Sequence, residues 1–136
     1  MKRGDALLDA SFWIALRDPR EPWHTRARAR VQELLAQRVR FIFTAFILAE
    51  THAYFSRSPR IRTEILDDAE HNPVMLHEPV STADQAGAIQ LLRQQADKSY
   101  SFCDALSFCI MQRLGLTRVA TFDAHFRQFG GLQIIE

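Results

Sequence analysis

The sequence predicts an α/β fold, a mainly parallel sheet covered by helices on both faces, and three observations predict it. Short apolar runs (ALLDA, VRFIF, PVMLHEP, TRVATF and GGLQII) alternate with longer segments whose apolar residues recur at helical spacing. Those longer segments run to about ten to fifteen residues, the length a crossover helix needs to return the chain for another parallel strand. The chain's 136 residues, 47% of them hydrophobic, suffice for one compact domain with a sizeable core and fall short of two ordinary ones. Residues 1–136 therefore read as a single domain, with no repeat, linker or low-complexity tract.

Ala6 to Asp9 reads as a short buried first strand leading straight into an apolar turn, Ser11 to Leu16, which DPREP at 18–22 breaks off. A helix follows over 23–38, with Trp23, Ala27, Val31, Leu34 and Leu35 near one face and arginines on the other. VRFIF is the second strand, and Thr44 caps the next helix, which carries Ile47, Leu48, Glu50, Ala53 and Tyr54. After SRSP comes a shorter helical segment to about Glu70, then a brief third strand bounded by Pro73 and Pro79. STAD at 81–84 and SFCD at 101–104 are capping-box signatures that open two further helices, the second ending at Gly115. TRVATFD forms a strand that ends at a polar turn, and GGLQII closes the sheet.

Charge and cysteine content narrow the function classes. The net charge is +1, and all but two of the 17 basic side chains are arginines, the exceptions being Lys2 and Lys98. The arginines group at 17–40 and 57–62, where their planar forks suit phosphate contacts or simply a solvated surface. KRG near the start, followed by apolar residues, is interrupted by Asp5 and Asp9 and lacks a cleavage site. Without a run of about 18 uncharged apolar residues, a soluble intracellular protein is expected. Cys103 and Cys109 lack the paired spacing of a zinc knuckle and read as core thiols.

Four acidic residues stand in apolar settings: Asp9, Glu50, Asp104 and Asp123. Burying a carboxylate is costly unless it meets a cation or a full set of hydrogen bonds. Asp9 and Asp123 sit at the C-terminal ends of strands, where α/β folds gather ligands. Glu50 and Asp104 read as early helix positions able to reach the same sheet edge. Hard oxygen ligands of this kind suit Mg2+, with Mn2+ as the alternative, better than zinc. Each acid also has a purely local reading: a turn carboxylate for Asp9, an exposed helix residue for Glu50, capping-box duty for Asp104, and an N-cap of AHFRQF for Asp123. Ser11, Thr44 and Thr121 are candidate supporting hydroxyls, the last two equally readable as cap and strand residues. Arg127 is a phosphate candidate, His125 reads more readily as a surface histidine, and Phe122, Phe126 and Phe129 pack locally or stack on bases.

The order and context of these residues resemble the PIN domain, in particular the small stand-alone ribonucleases that act as VapC-type toxins. LLDASFWIAL resembles the family's first acidic motif, TAFILAE the second, YSFCDALSF the third and ATFDAHF the last, so the likeness covers nearly the whole chain. It implies an α/β/α sandwich with the first strand central, commonly paired as a homodimer. It also implies Asp9, Glu50, Asp104 and Asp123 as the catalytic metal-binding acids, with Ser11 in support. The activity implied is magnesium- or manganese-dependent cleavage of RNA in the cytoplasm, held in check by a cognate antitoxin that places a basic side chain in the acidic groove. Cys103 departs from the threonine or serine usual before the third acid, which weakens a hydrogen bond without removing a ligand. A catalytically silent PIN-like binding or scaffold protein would have lost an acid, and none is lost. A flap-type DNA nuclease would carry insertions, and a haloacid-type phosphatase a second aspartate that DASFW lacks.

Overall fold

The computed structural model describes residues 4–136, so the basic start of the chain at 2–3 lies outside the described residues. In chain order the elements are β1 (Ala6–Leu8), α1 (Ala10–Arg17), α2 (His24–Ala36), β2 (Phe41–Phe43), α3 (Ala45–Tyr54) and α4 (Pro59–His71). There follow β3 (Met75–His77), α5 (Thr82–Gln94), α6 (Phe102–Leu114), β4 (Arg118–Ala120), α7 (His125–Phe129) and β5 (Gln133–Ile135). The strands form one sheet in the order β3-β2-β1-β4-β5, with every pairing parallel and β1 in the centre. Helices α1 to α4, which carry the chain outward from β1 to β3, pack on one another, and α5 packs on α6 and α6 on α7. Right-handed crossovers put these two groups on opposite faces. The result is the expected three-layer α/β/α sandwich.

A parallel sheet covered on both faces needs strands that are apolar on both sides. β1, the run ALL, meets that demand, since Ala6 and Leu7 have no exposed surface and Leu8 almost none. Phe12, Trp13, Phe43 and Phe108 fill the space between the sheet and its helices. Among the described residues no helix is long and apolar enough to cross a membrane.

Helix ends follow their sequence signals closely. Thr44 Oγ1 accepts from Ile47 N–H (3.2 Å) at the start of α3. Both capping boxes are complete, and Gly115 ends α6 in the left-handed conformation at φ 69°, which glycine adopts without penalty.

Two expectations are corrected. The apolar segment after Asp9 is not a turn but the eight-residue helix α1, with Asp9 as its N-cap. Ala10, Phe12, Trp13, Ile14 and Ala15 are all buried, and only Ser11, Leu16 and Arg17 keep part of their surface exposed, so a short and mostly apolar segment folds as a helix packed into the core. In α2, Ala27 and Leu34 are buried, whereas Leu35 is exposed and Trp23, at the N-cap position, keeps 51% of its surface exposed.

Candidate metal centre

β1 and β4 are neighbours, but the chain leaves β1 toward one edge of the sheet and β4 toward the other. That reversal leaves a crevice beyond their C-terminal ends, the usual ligand position in an open α/β sheet. Asp9 directly follows β1, and its backbone N–H donates to Ala120 O (3.0 Å), holding it against the end of β4. Its side chain is buried. Ser11 Oγ–H and Thr121 Oγ1–H both donate to Asp9 Oδ2, at 2.6 and 2.8 Å. Ser11 Oγ accepts in turn from Phe122 N–H (3.0 Å), and Thr121 Oγ1 from Asp123 N–H (2.9 Å). Because both hydroxyl protons go to Asp9, the 3.1 Å approach of Ser11 Oγ to Thr121 Oγ1 is a side-by-side contact. The two hydroxyls tie the loop after β1 to the loop after β4 through one carboxylate oxygen.

Burial raises the Asp9 carboxyl to about 6 from its ordinary value of 3.8, the largest cause being loss of solvation. Ser11 and Thr121 pull it down, whereas Asp104 and Asp123 push it up as like charges, which places both within electrostatic reach of Asp9.

Asp104 is the third residue of α6. Its Oδ2 accepts from Ser101 N–H (3.0 Å), and its own N–H donates to Ser101 Oγ (3.0 Å). The local capping role and a place in the acidic group therefore coexist. His125 Nδ1 lies 2.9 Å from Asp104 Oδ2 and 3.4 Å from Asp123 Oδ1. A carboxylate oxygen only accepts, so Nδ1 carries the proton at this contact. Asp123 lies past the end of β4 and turns the chain into α7 by accepting from His125 N–H (2.9 Å). Ligand atoms of Asp104, Asp123 and His125 all fall within 4.8 Å of one another.

The remaining sequence candidates are distributed differently. Glu50 is the sixth residue of α3 rather than an early one, and it is exposed. It lines a cleft of about 390 Å³ together with Asp9, Ser11 and Asp123. Glu50 also faces the Cys103 thiol, whose ionisation is suppressed, its pKa pushed up by burial first and by this neighbouring carboxylate second. Thr44 is spent on capping α3, and Arg127 on α7 pairs with Glu136 instead of standing free for phosphate. Two further residues border the site: His125, which the sequence offers as a phosphate contact or more readily a surface histidine, and Trp23, expected on the apolar face of its helix. The spacing DAH, with histidine two residues after an acid, is the one local signal for the former.

The donor set suits a hard divalent cation. Among the described residues, Asp9, Asp104 and Asp123 each bond through one carboxylate oxygen and leave the other without a protein donor. None of the three forms an ion pair with arginine or lysine among the described residues. The carboxylates of Asp104 and Asp123, grouped with His125, and that of Asp9 at the same crevice would suit magnesium or manganese, with no thiolate contributed.

Comparison with known proteins gives consistent results. The sequence pattern of the PIN domain family matches residues 6–132. The chain is 27% identical over 129 residues to the 23S rRNA-specific endonuclease VapC20 of Mycobacterium tuberculosis, covering 93% of this chain and 95% of the relative. Its structure is similar to the crystal structure of that sarcin-ricin loop cleaving toxin, with a TM-score of 0.81 at 25% identity over 93% of this chain and 95% of the other. It also shares the fold of FitAcB from Neisseria gonorrhoeae, with a TM-score of 0.70 at 16% identity over 96% of each chain.

Proposed function

The chain belongs to the PIN domain family, and on that footing we propose that it is a metal-dependent endoribonuclease and the toxin of a toxin-antitoxin pair, with residues 1–136 acting as one nuclease domain. The observation that carries this reading is the set of three carboxylates, each with one oxygen free, at the switch point of the sheet. Asp9, Asp104 and Asp123 hold Mg2+, or Mn2+ in its place, with Glu50 reaching in from the α3 side of the cleft. When bound, such an ion supplies a water of lowered pKa and polarises the phosphodiester for hydrolysis.

The chain's own residues prepare that site. Ser11 and Thr121 hold Asp9 Oδ2 and so aim Oδ1 into the crevice, the orienting role that partners of metal ligands play. Ser101 fixes the rotamer of Asp104 in the same way. His125 Nδ1 lies between Asp104 and Asp123 and holds the two carboxylates in a fixed relation.

The neighbouring relative's action on 23S rRNA makes structured ribosomal RNA the first substrate to try. The acidic crevice suits a cognate antitoxin that inserts a basic side chain. Homodimerisation is supported by the apolar surface α3 leaves open, where Phe46 and Tyr54 are exposed. A cytoplasmic location follows from the substrate. The test is incubation of purified protein with structured RNAs, including ribosomal RNA, in magnesium, manganese or chelator. Metal-dependent cutting is expected, and its absence in protein that demonstrably binds manganese would instead assign a silent nucleic-acid-binding role.

A further inference from the structure

Beside the acids the cleft has a wall of a different kind. Phe12, buried in α1, stacks on Phe122 with ring centroids 5.1 Å apart and planes at 7°, and Phe122 stacks on Trp23 at 5.5 Å and 9°. The three rings form one continuous parallel column that starts in the core and ends in solvent at Trp23. Phe122 lies between Thr121 and Asp123, and its N–H donates to Ser11 Oγ, so the column is joined to the metal centre through the backbone. Trp23 and Phe122 line the same cleft of about 390 Å³ as Asp9, Ser11, Glu50 and Asp123.

We infer that the exposed indole of Trp23 is a stacking platform for one unpaired RNA base next to the phosphate held at the acidic centre. This deepens the nuclease reading above and rests on it. A flat ring that already continues a parallel stack offers its free face to another flat ring, and every nucleobase has one. The column is anchored by Phe12, so the indole is held in orientation before a base arrives and little rotamer freedom remains to be lost. The cleft itself is lined by acids, Glu21 beside Trp23 included, so phosphate contacts on this flank fall to arginines at its margin. Arg20, 86% exposed at its side chain, precedes Trp23 by one short turn, and Arg26 is exposed on the first turn of α2. One exposed ring seats one splayed base, so the site selects unpaired nucleotides over continuous duplex.

The test uses the unaltered protein with calcium in place of magnesium, an ion that takes the same oxygen ligands in looser geometry, so that RNA is bound with little cutting, and ten-residue oligoadenylate is the probe. Trp13 has no exposed surface, which leaves Trp23 as the indole that a bound base can quench. Quenching by oligoadenylate, and little by an oligomer of the same charge with abasic riboses, is expected. Measured by anisotropy with labelled oligoadenylate, Trp23→Ala weakens binding by about 10- to 100-fold, and Trp23→Phe, which keeps a ring, restores it to within a few-fold. Equal quenching by the abasic oligomer, or unchanged affinity in Trp23→Ala, overturns the proposal and assigns the indole to a protein partner. Cutting of RNA by the unaltered protein is scored separately. Cutting without base-dependent quenching removes the platform alone, whereas quenching without cutting removes the nuclease reading and leaves the platform standing.

Discussion

The N-termini of α5 and α6 are built from the same motif and serve opposite ends. Ser81 and Asp84 form one complete capping box, Ser101 and Asp104 the other, and the two aspartates are nearly equally buried, at 5% and 6% exposed. Asp84 meets Arg113, whose Nε and Nη2 donate to its two oxygens at 2.9 Å each, and this guanidinium holds its carboxyl below the usual range. Asp104 meets Asp123 and His125 instead, and one of its oxygens stays free. A capping box thus settles where a helix begins and leaves open what its acid is for. The partner across the gap decides that: a bidentate guanidinium neutralises Asp84 into structure, whereas Asp104 faces a second carboxylate and a histidine in a group that could hold a metal ion.

Exchanging the charge at each position tests this contrast most severely. Asp104→Asn should reduce metal-dependent RNA cutting by more than about 100-fold, beyond the loss expected from removing a supporting partner. Its metal-free stability should be unchanged or higher, because repulsion from Asp9 and Asp123 falls; thermal melting beside the cleavage assay checks both. Asp84→Asn should do the reverse. Cutting stays within a few-fold of the parent, while unfolding free energy in a urea titration drops by about 1–3 kcal/mol, as expected for charge-assisted hydrogen bonds to a partly exposed arginine.

The two regions should also answer pH with opposite sign. Asp84 ionises below its ordinary value, so its contribution is present above that value and is lost as pH falls through the depressed one. Asp9 is raised to about 6, so the folded state takes up protons more readily than the unfolded chain. Its effect is to lower metal-free stability as pH rises from about 4 to 6, on the order of 3 kcal/mol. Manganese should remove that penalty, so the metal-induced rise in melting temperature should be large at pH 7.5 and small at pH 5. An equal rise at both would contradict the assignment of Asp9 as a ligand. The smallest effect belongs to the hydroxyls: Ser11→Ala should slow cutting about 10-fold while leaving melting close to the parent.

Much of the fold was legible because parallel strands buried on both faces must be apolar, and ALL, FIF and RVA stand out against polar turns. The gathering of Asp9, Asp104 and Asp123 at one edge was legible for a related reason: an acid set at the end of an apolar strand or the start of an apolar helix has few local uses. Helix α1 was hidden because an eight-residue, mostly apolar run directly after a strand is too short for its spacing to separate a helix from a turn. The position of His125 depends on α6 and α7 meeting in space, and the exposure of Trp23 depends on a phenylalanine that arrives far along the chain. The pairing of Arg127, a phosphate candidate, with Glu136 likewise depends on the residue that follows β5. Each of these is a tertiary contact, and only His125, two residues after an acid, leaves a local trace in the sequence.

Manganese binding to the metal-free protein at pH 7.5, measured by calorimetry on the parent, Asp104→Asn and Asp84→Asn, tests the central claim most directly. The account predicts that Asp84→Asn binds manganese as the parent does and that Asp104→Asn loses most of that affinity. Equal binding by all three, or loss in Asp84→Asn alone, would contradict it.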